Sequence, residues 1–448
     1  MTSLTIPQLR RWPILGNSMA FRTRRLALLQ QVAQECGDVG IFHVGPWPVL
    51  LLSAPAGIAA VLAEYADRVT KSPLLLRHFR PLVGDGLVVS EGLHHRMQRR
   101  RLAPVFQPRR VAEYAPQITA AAERMRNRWS DGRVLDLTQE MSDLALDLMG
   151  ITLFGQRLAA QANRIKHTVT ELAQLANNSA NTLIRLPASW PTPVNRRLRA
   201  VIAEVDGLIT NLIAMRRASG SEHKDLLAML LLARDEESGA AMTDQQVRDE
   251  AVTLFLAGYE ATATLLTWTW YVLTTHPMIY SRVRAECEGV LAGRTPTQAD
   301  LIALPYTLQV LKETLRLYPP AWVMLRQAQQ PFDVQGYTVP AGMRIAVSPY
   351  VTQRRPDLFP NPDYFDPERW IPDREIQLPR YAFFPFGAGP HQCIGQHLAM
   401  MEAHLILATV VQHVTFEILP DQQITPVPLI SLRPNKPIFV QVRRHTAI

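Results

Sequence analysis

The segment Phe383-Phe384-Pro385-Phe386-Gly387-Ala388-Gly389-Pro390-His391-Gln392-Cys393-Ile394-Gly395 sets one cysteine among glycines, behind an aromatic run. Shortly after it, Leu398, Ala399, Met400 and Met401 begin an apolar stretch that reads as a helix. Glycine accepts backbone angles that other residues resist, so main-chain N–H groups can turn toward a single sulfur. The positive end of the following helix favours thiolate over thiol. A lone cysteine is ordinarily a small buried core residue. A thiolate presented this way instead suits a metal, and iron in a haem is the metal that one cysteine serves.

Phe386-x-x-Gly389-x-His391-x-Cys393-x-Gly395 resembles the haem-binding signature of the cytochrome P450 family, the haem-thiolate monooxygenases. His391 stands where arginine is commonest, and either side chain can reach a haem propionate. The resemblance implies haem b as cofactor, Cys393 as its iron ligand, and Phe386, Gly387, His391 and Gly395 around it. It also implies the family's fold: a single, mostly helical α+β domain over residues 1–448. In that fold residues 1–70 form a small β-rich lobe, residues 71–448 the helical haem domain, and a long central helix crosses the haem.

Composition agrees with a large enzyme core. The 448 residues are 47% hydrophobic and 19% charged, ordinary for a globular chain. Cys36, Cys287 and Cys393 are far apart and odd in number, so no disulfide framework is expected, and a reducing, cytoplasmic setting fits. A net charge of +8 calls for an anionic partner, but no zinc-finger spacing or basic–aromatic tract points to nucleic acid. An acidic electron-transfer protein suits the balance better. The N-terminal stretch to Arg25 lacks the apolar run of a membrane anchor. Prolines break 41–63 into strands and turns, and Glu260 with several threonines marks 251–280 as a buried helix rather than a bilayer span.

Along the chain, Ile41–Val44 and Val49–Leu52 read as a hairpin around Gly45-Pro46-Trp47-Pro48, followed by a helix at Ala56–Tyr65. Residues 72–90 read as a loop-rich segment, and the resemblance makes it a substrate-contact region with Leu87 and Val88 at the substrate. His95 and Arg99 lie four apart, on one face of a helix. Alone that is a solvated basic face; the family pattern gives both to a haem propionate. Residues 110–240 are helical in pattern, interrupted at 186–194 and at Arg216-Arg217 with the turn 219–221, and the family makes this region a mobile lid.

Thr243-Asp244-Gln245-Gln246 reads as a capping box that opens a helix running to about Thr275. Within it Ala257-Gly258-Tyr259-Glu260-Ala261-Thr262 carries an acid among apolar neighbours, costly unless paired or wet. The plain account is a polar kink satisfied by backbone or water. The resemblance gives the other: Ala257 and Gly258 leave room for oxygen, and Glu260 is the acid of an acid–alcohol pair that delivers protons. Ala261 stands where the alcohol is usual, and Thr262 offers a hydroxyl one residue on, turned by about 100°. Delivery through Glu260 and ordered water, aided by a substrate hydroxyl, is therefore expected.

Glu313-Thr314-Leu315-Arg316 followed by Tyr318-Pro319-Pro320, with Arg369 in Phe365-Asp366-Pro367-Glu368-Arg369-Trp370, resembles the family's structural Glu-x-x-Arg helix and the arginine that locks onto it. Arg326 falls where the family sends an arginine to a propionate. Leu254, Ala257, Val323, Met324 and Ile430 are expected pocket walls. Residues 315–353 look most like a thermophilic carotenoid-hydroxylating branch.

The function implied is insertion of one oxygen atom from O2 into a C–H bond of a large apolar substrate: a carotenoid, a terpenoid or a fatty acid. No flavin or cluster motif is present, so electrons would come from a separate ferredoxin and ferredoxin reductase, docked near Arg99–Arg101, with the protein a monomer. A peroxide-driven peroxygenase would use the same cysteine. A non-catalytic haem or ligand carrier would have no use for Glu260.

Overall fold

This computed structural model describes residues 4–157, 190, 192–218, 225–234 and 239–445. Of the interruption expected at 186–194, residues 186–189 and 191 lie outside them, as does the turn at 219–221. The chain divides into two compact units, Met1–His78 with Lys312–Cys393, and Phe79–Leu311 with Ile394–Ile448.

The first unit is built on a five-stranded sheet, in the order β1-β2-β8-β5-β3. β1 (Val39–Val44) and β2 (Trp47–Leu52) form the expected hairpin, with the turn closed to Gly45-Pro46. Gly45 supplies the positive φ that the turn needs. Pro48 sits opposite His43, and β2 bonds in parallel to β8 (Arg344–Val347) only from Val49 onward, so no ladder bond is asked of the proline. β3 (Val69–Lys71) and β5 (Met324–Ala328) complete the sheet, which thus draws strands from beyond residue 300. A small hairpin, β6 (Phe332–Val334) with β7 (Tyr337–Val339), flanks it. Leu50, Leu52, Val61, Val339, Ile345 and Val347 fill the core beside the sheet.

The second unit is helical. Its axis is the central helix, Asp244–Thr275, opened by the capping box of Thr243 and Gln246 as the sequence predicts. Helices Leu137–Phe154 and Gln396–Val411 are also largely buried. β4 (Val134–Asp136), β9 (Val414–Ile418) and β12 (Phe439–Arg444) make a three-stranded sheet, and β10 (Pro426–Pro428) pairs with β11 (Leu432–Pro434). Mostly helical α+β architecture is what the sequence implies.

One expectation fails locally. Residues 72–90 are not all loop: Pro73–Val83 is a helix. Proline is at home in a first helical turn, and the run Leu74-Leu75-Leu76 carries no break, so Pro73 starts a helix inside the segment expected to be rich in loop.

Candidate active site

In the cysteine loop, Gly387 and Gly389 both hold positive φ, and a side chain at Gly389 would run into the Leu62 carbonyl. Cys393 N–H donates to Phe386 O at 2.8 Å, and Gly387 N–H to Phe384 O at 2.9 Å, so the loop folds tightly back on itself. Cys393 is exposed. The other two thiols are held neutral: burial, then Glu35, raises Cys36, and burial pushes Cys287 up to about 12. His391 is half-buried in the short turn Gly389–His391, Phe386 and Gly395 are half-buried, and Met324 packs 3.5 Å from where a Gly387 side chain would begin. Arg326 is buried in β5 and donates to Leu325 O.

A chain of hydrogen bonds underpins this loop. Glu313 and Arg316, both wholly buried, share two bonds of 2.8 Å. Glu313 also accepts from Trp370 Nε1 at 2.9 Å, Asp366 N–H at 3.0 Å and Arg369 Nε at 3.3 Å. Arg316 donates to the carbonyls of Gln353 and Pro362. Gln353 in turn donates to the Leu315 and Arg316 carbonyls and accepts from Phe384 N–H at 3.0 Å, where the cysteine loop begins. Gln353 and Trp370 were invisible as partners in the sequence; only a buried amide and indole flanking the motif hinted at them.

In the second unit the middle of the central helix opens. Ala257 is exposed and Leu256, Gly258, Glu260 and Ala261 are half-buried, within a helix otherwise buried on nearly every side. The two small residues do different things. Ala257 belongs to the accessible strip, whereas Gly258 makes room for Met149: a Cβ there would lie 2.5 Å from its sulfur. Glu260 finds its partners in side chains. Arg433 grips it through Nε at 2.6 Å and through Nη2, and Ser431 Oγ donates to it. Burial lowers the Arg433 pKa, but the bonds to Glu260 outweigh it and leave it raised. Ser431 Oγ also meets Thr264 Oγ1 at 3.1 Å.

Thr262, expected to be turned from the position of the usual alcohol, is buried and faces helix Gln396–Val411, where its hydroxyl donates to Glu402 Oε2 at 3.3 Å. Burial raises the Glu402 carboxyl to about 8. The pairing follows from helix geometry, since two residues of advance turn Thr262 about 200° from Glu260, onto the opposite face.

Leu87 is buried and Val88 exposed in the segment after Pro73–Val83. That segment is bolted to the central helix: Asp85 N–H donates to Asp249 and Leu87 N–H to Glu250. Gly86 is required there because a side chain would strike Thr253. These acids were missed in the sequence; a DE pair at the start of a buried helix was the only signal. Leu254 is buried, Val323 and Met324 are half-buried, and Ile430 is exposed. His95 is buried and Arg99 half-buried on helix Gly92–Leu102. Arg101, read as part of a basic surface, is buried and donates to Ala240 O and Gln98, so it cannot dock a partner; the exposed cations of this stretch are Arg96, Arg109 and Arg110.

The donor chemistry suits a haem. Among the described residues no group of three or more His, Cys, Asp or Glu stands where it could hold a bare ion, whereas a haem would ask the chain for a single thiolate. An accessible sulfur on a glycine loop meets that need. A profile of the family described as Cytochrome P450 matches residues 6–442. The chain belongs to the cytochrome P450 family. It is 35% identical over 422 residues to cyclooctatin synthase of Streptomyces melanosporofaciens, covering 94% of this chain and 92% of that one. Identity to cyclooctat-9-en-7-ol 5-monooxygenase of the same organism is 36% over 399 residues, covering 89% and 86%. Pentalenene oxygenase of Streptomyces avermitilis is 32% identical over 431 residues, covering 94% and 93%. The crystal structure of the cytochrome P450DA heme domain superposes with a TM-score of 0.90 over 99% of both chains at 24% identity, a likeness of fold. The protein is therefore a cytochrome P450 monooxygenase with a haem-thiolate cofactor, using O2, a small-molecule substrate and a redox partner.

Proposed function

We propose that this P450 hydroxylates a terpenoid, working as a cytoplasmic monomer with haem b held through Cys393. The observation that carries the reading is the accessible strip of the central helix, where a single acid, Glu260, stands among the small or apolar Leu256, Ala257, Gly258 and Ala261. Relatives named for terpenoid oxidation support the substrate class over carotenoids and fatty acids.

The haem, when bound, supplies oxygen activation. The chain supplies the rest. Glu260 holds and passes protons, and Arg433 with Ser431 fixes its carboxylate in place. With no alcohol at Ala261 and Thr262 turned to Glu402, ordered water or a substrate hydroxyl must bridge from Glu260. The family pattern makes Leu87, Val88, Leu254, Ala257, Val323, Met324 and Ile430 the apolar walls that orient substrate and exclude water. The family pattern gives the propionates to His95, Arg99, Arg326 and His391. Electrons would come from a ferredoxin and its reductase, drawn by exposed cations such as Arg96 and Arg109.

Absorption titration of the ferric protein tests the substrate class. A saturable spin-state change with a cyclic terpenoid smaller than a carotenoid, and none with carotenoids or long-chain fatty acids, is expected; the reverse pattern refutes the assignment. One observation favours a second reading, peroxide-driven oxygenation: the strip lacks the hydroxyl of an acid–alcohol pair. Full turnover with peroxide alone, at rates no ferredoxin can improve, would select it.

A further inference from the structure

The first 63 residues contain five arginines and two acids. Both acids are occupied: Glu35 accepts from Gln31, and Asp38 pairs with Arg355 at 2.6 Å. Arg25 turns inward, its Nε on the Phe21 carbonyl. Arg10, Arg11, Arg22 and Arg24 remain exposed.

Between these cations lies a small hairpin. Trp12 and Gly16 exchange backbone bonds of 3.2 and 3.0 Å. The hairpin is seated on the β1–β2 turn: Asn17 N–H donates to His43 O at 2.7 Å, His43 N–H to Asn17 Oδ1 at 3.0 Å, and Gly45 N–H to Ser18 Oγ at 2.6 Å. Gly16 must be glycine, because a side chain would strike His43 and the Gly45 carbonyl. At the tip, Ile14 adopts φ +63 and is 90% exposed, and Trp12 is 75% exposed. Leu15 and Met19 are exposed as well, and so is Trp47 in the adjoining turn, with Arg344 over its ring.

A β-branched residue in the left-handed region is strained, and strain of this kind persists where surrounding structure over-determines it for a use. Here the strained residue gains no burial against the described residues. Tryptophan and aliphatic side chains ringed by arginine match the boundary between lipid headgroups and acyl chains, where the rings and alkyl groups leave water and the cations meet phosphate. No helix among the described residues is long and apolar enough to cross a membrane, so the contact would lie in the plane of the interface.

We propose that the hairpin Trp12–Gly16 docks the protein on an anionic lipid surface, with Trp12, Ile14 and Leu15 entering the headgroup boundary beside Met19 and Trp47, and Arg10, Arg11, Arg22 and Arg24 on the phosphates. The inference stands apart from the substrate assignment.

Flotation of the haem-loaded protein with vesicles tests it, using phosphatidylcholine alone and phosphatidylcholine mixed with phosphatidylglycerol, at low and high salt. The wild type should float with the mixed vesicles, and high salt should release it. Ile14→Asn with Leu15→Ser should lower partitioning by roughly tenfold or more. Because asparagine accepts a positive φ, that variant should keep its haem spectrum and unfold no earlier than wild type. Arg10→Glu with Arg11→Glu should lower partitioning comparably, and only for anionic vesicles. Wild type that stays with the soluble fraction, or variants that float like it, overturn the proposal. So does a variant that shifts the sedimentation coefficient without vesicles, which would make this face a contact between copies of the chain.

Discussion

Glu313 and Arg316 stand three residues apart on one helix with no exposure at all, whereas Glu260 and Arg433 come from segments 173 residues apart and keep part of their surface open. The first pair is saturated: Glu313 accepts five hydrogen bonds, and Arg316 spends its remaining donors on backbone carbonyls. The second pair has Ser431 as its further partner and sits on the accessible strip. The same two residue types thus do opposite work. Where every lone pair and proton is used in a dry interior, a charge pair can only hold a shape. Where one side remains accessible, the carboxylate can exchange partners with water or substrate.

Removing one member of each pair separates the two roles. Arg316→Met strands a buried carboxylate and should cost about 3–5 kcal/mol, read as a large drop in unfolding temperature or failure to accumulate haem-loaded protein. A wild-type unfolding profile would erase the distinction. Glu260→Gln keeps the shape and an acceptor for Ser431 and Arg433 on a partly open face, so it should cost less stability than Arg316→Met. Its product formed per electron consumed should nevertheless fall by roughly a hundredfold, as for loss of a proton-transfer group. Equal coupling in the variant would return Glu260 to the structural class.

Glu402 sharpens the comparison from a third side, as a buried carboxyl with no cation bonded to it among the described residues. Its folded-state pKa is raised to about 8, so the folded protein holds a proton that the unfolded chain releases above the ordinary carboxyl range. This contribution to stability is complete below about 4.5 and drains away as pH rises toward 8. Glu402→Gln should flatten that part of the profile, measured as denaturation midpoints across pH for both proteins. Parallel profiles would contradict it. The smallest effect is expected from Ala261→Thr, which restores a hydroxyl to the strip: coupling should change by only a few-fold if substrate or water already bridges, whereas a large gain would rule out a substrate-assisted relay.

Much of this was legible in the chain because it is local. The thiolate loop is a run of thirteen consecutive residues, 383–395, whose glycines and cysteine announce themselves by spacing. The capping box at Thr243 and the three-residue step from Glu313 to Arg316 are equally short-range. The partners of these groups were not legible. Gln353, Trp370, Arg433, Ser431 and Glu402 are ordinary residues until folding brings them against an acid or a hydroxyl.

By itself the sequence determined the cysteine loop and the helix that carries the acid, since backbone angles and helical period act over a few residues. Tertiary structure decided what each side chain faces. It gave Gly258 to Met149, turned Thr262 toward Glu402, buried Arg101 and set Glu260 against Arg433. Those outcomes depend on the rotation of packed helices and on charges supplied by distant segments, and burial and partnership are sums over neighbours in space that no local spacing encodes.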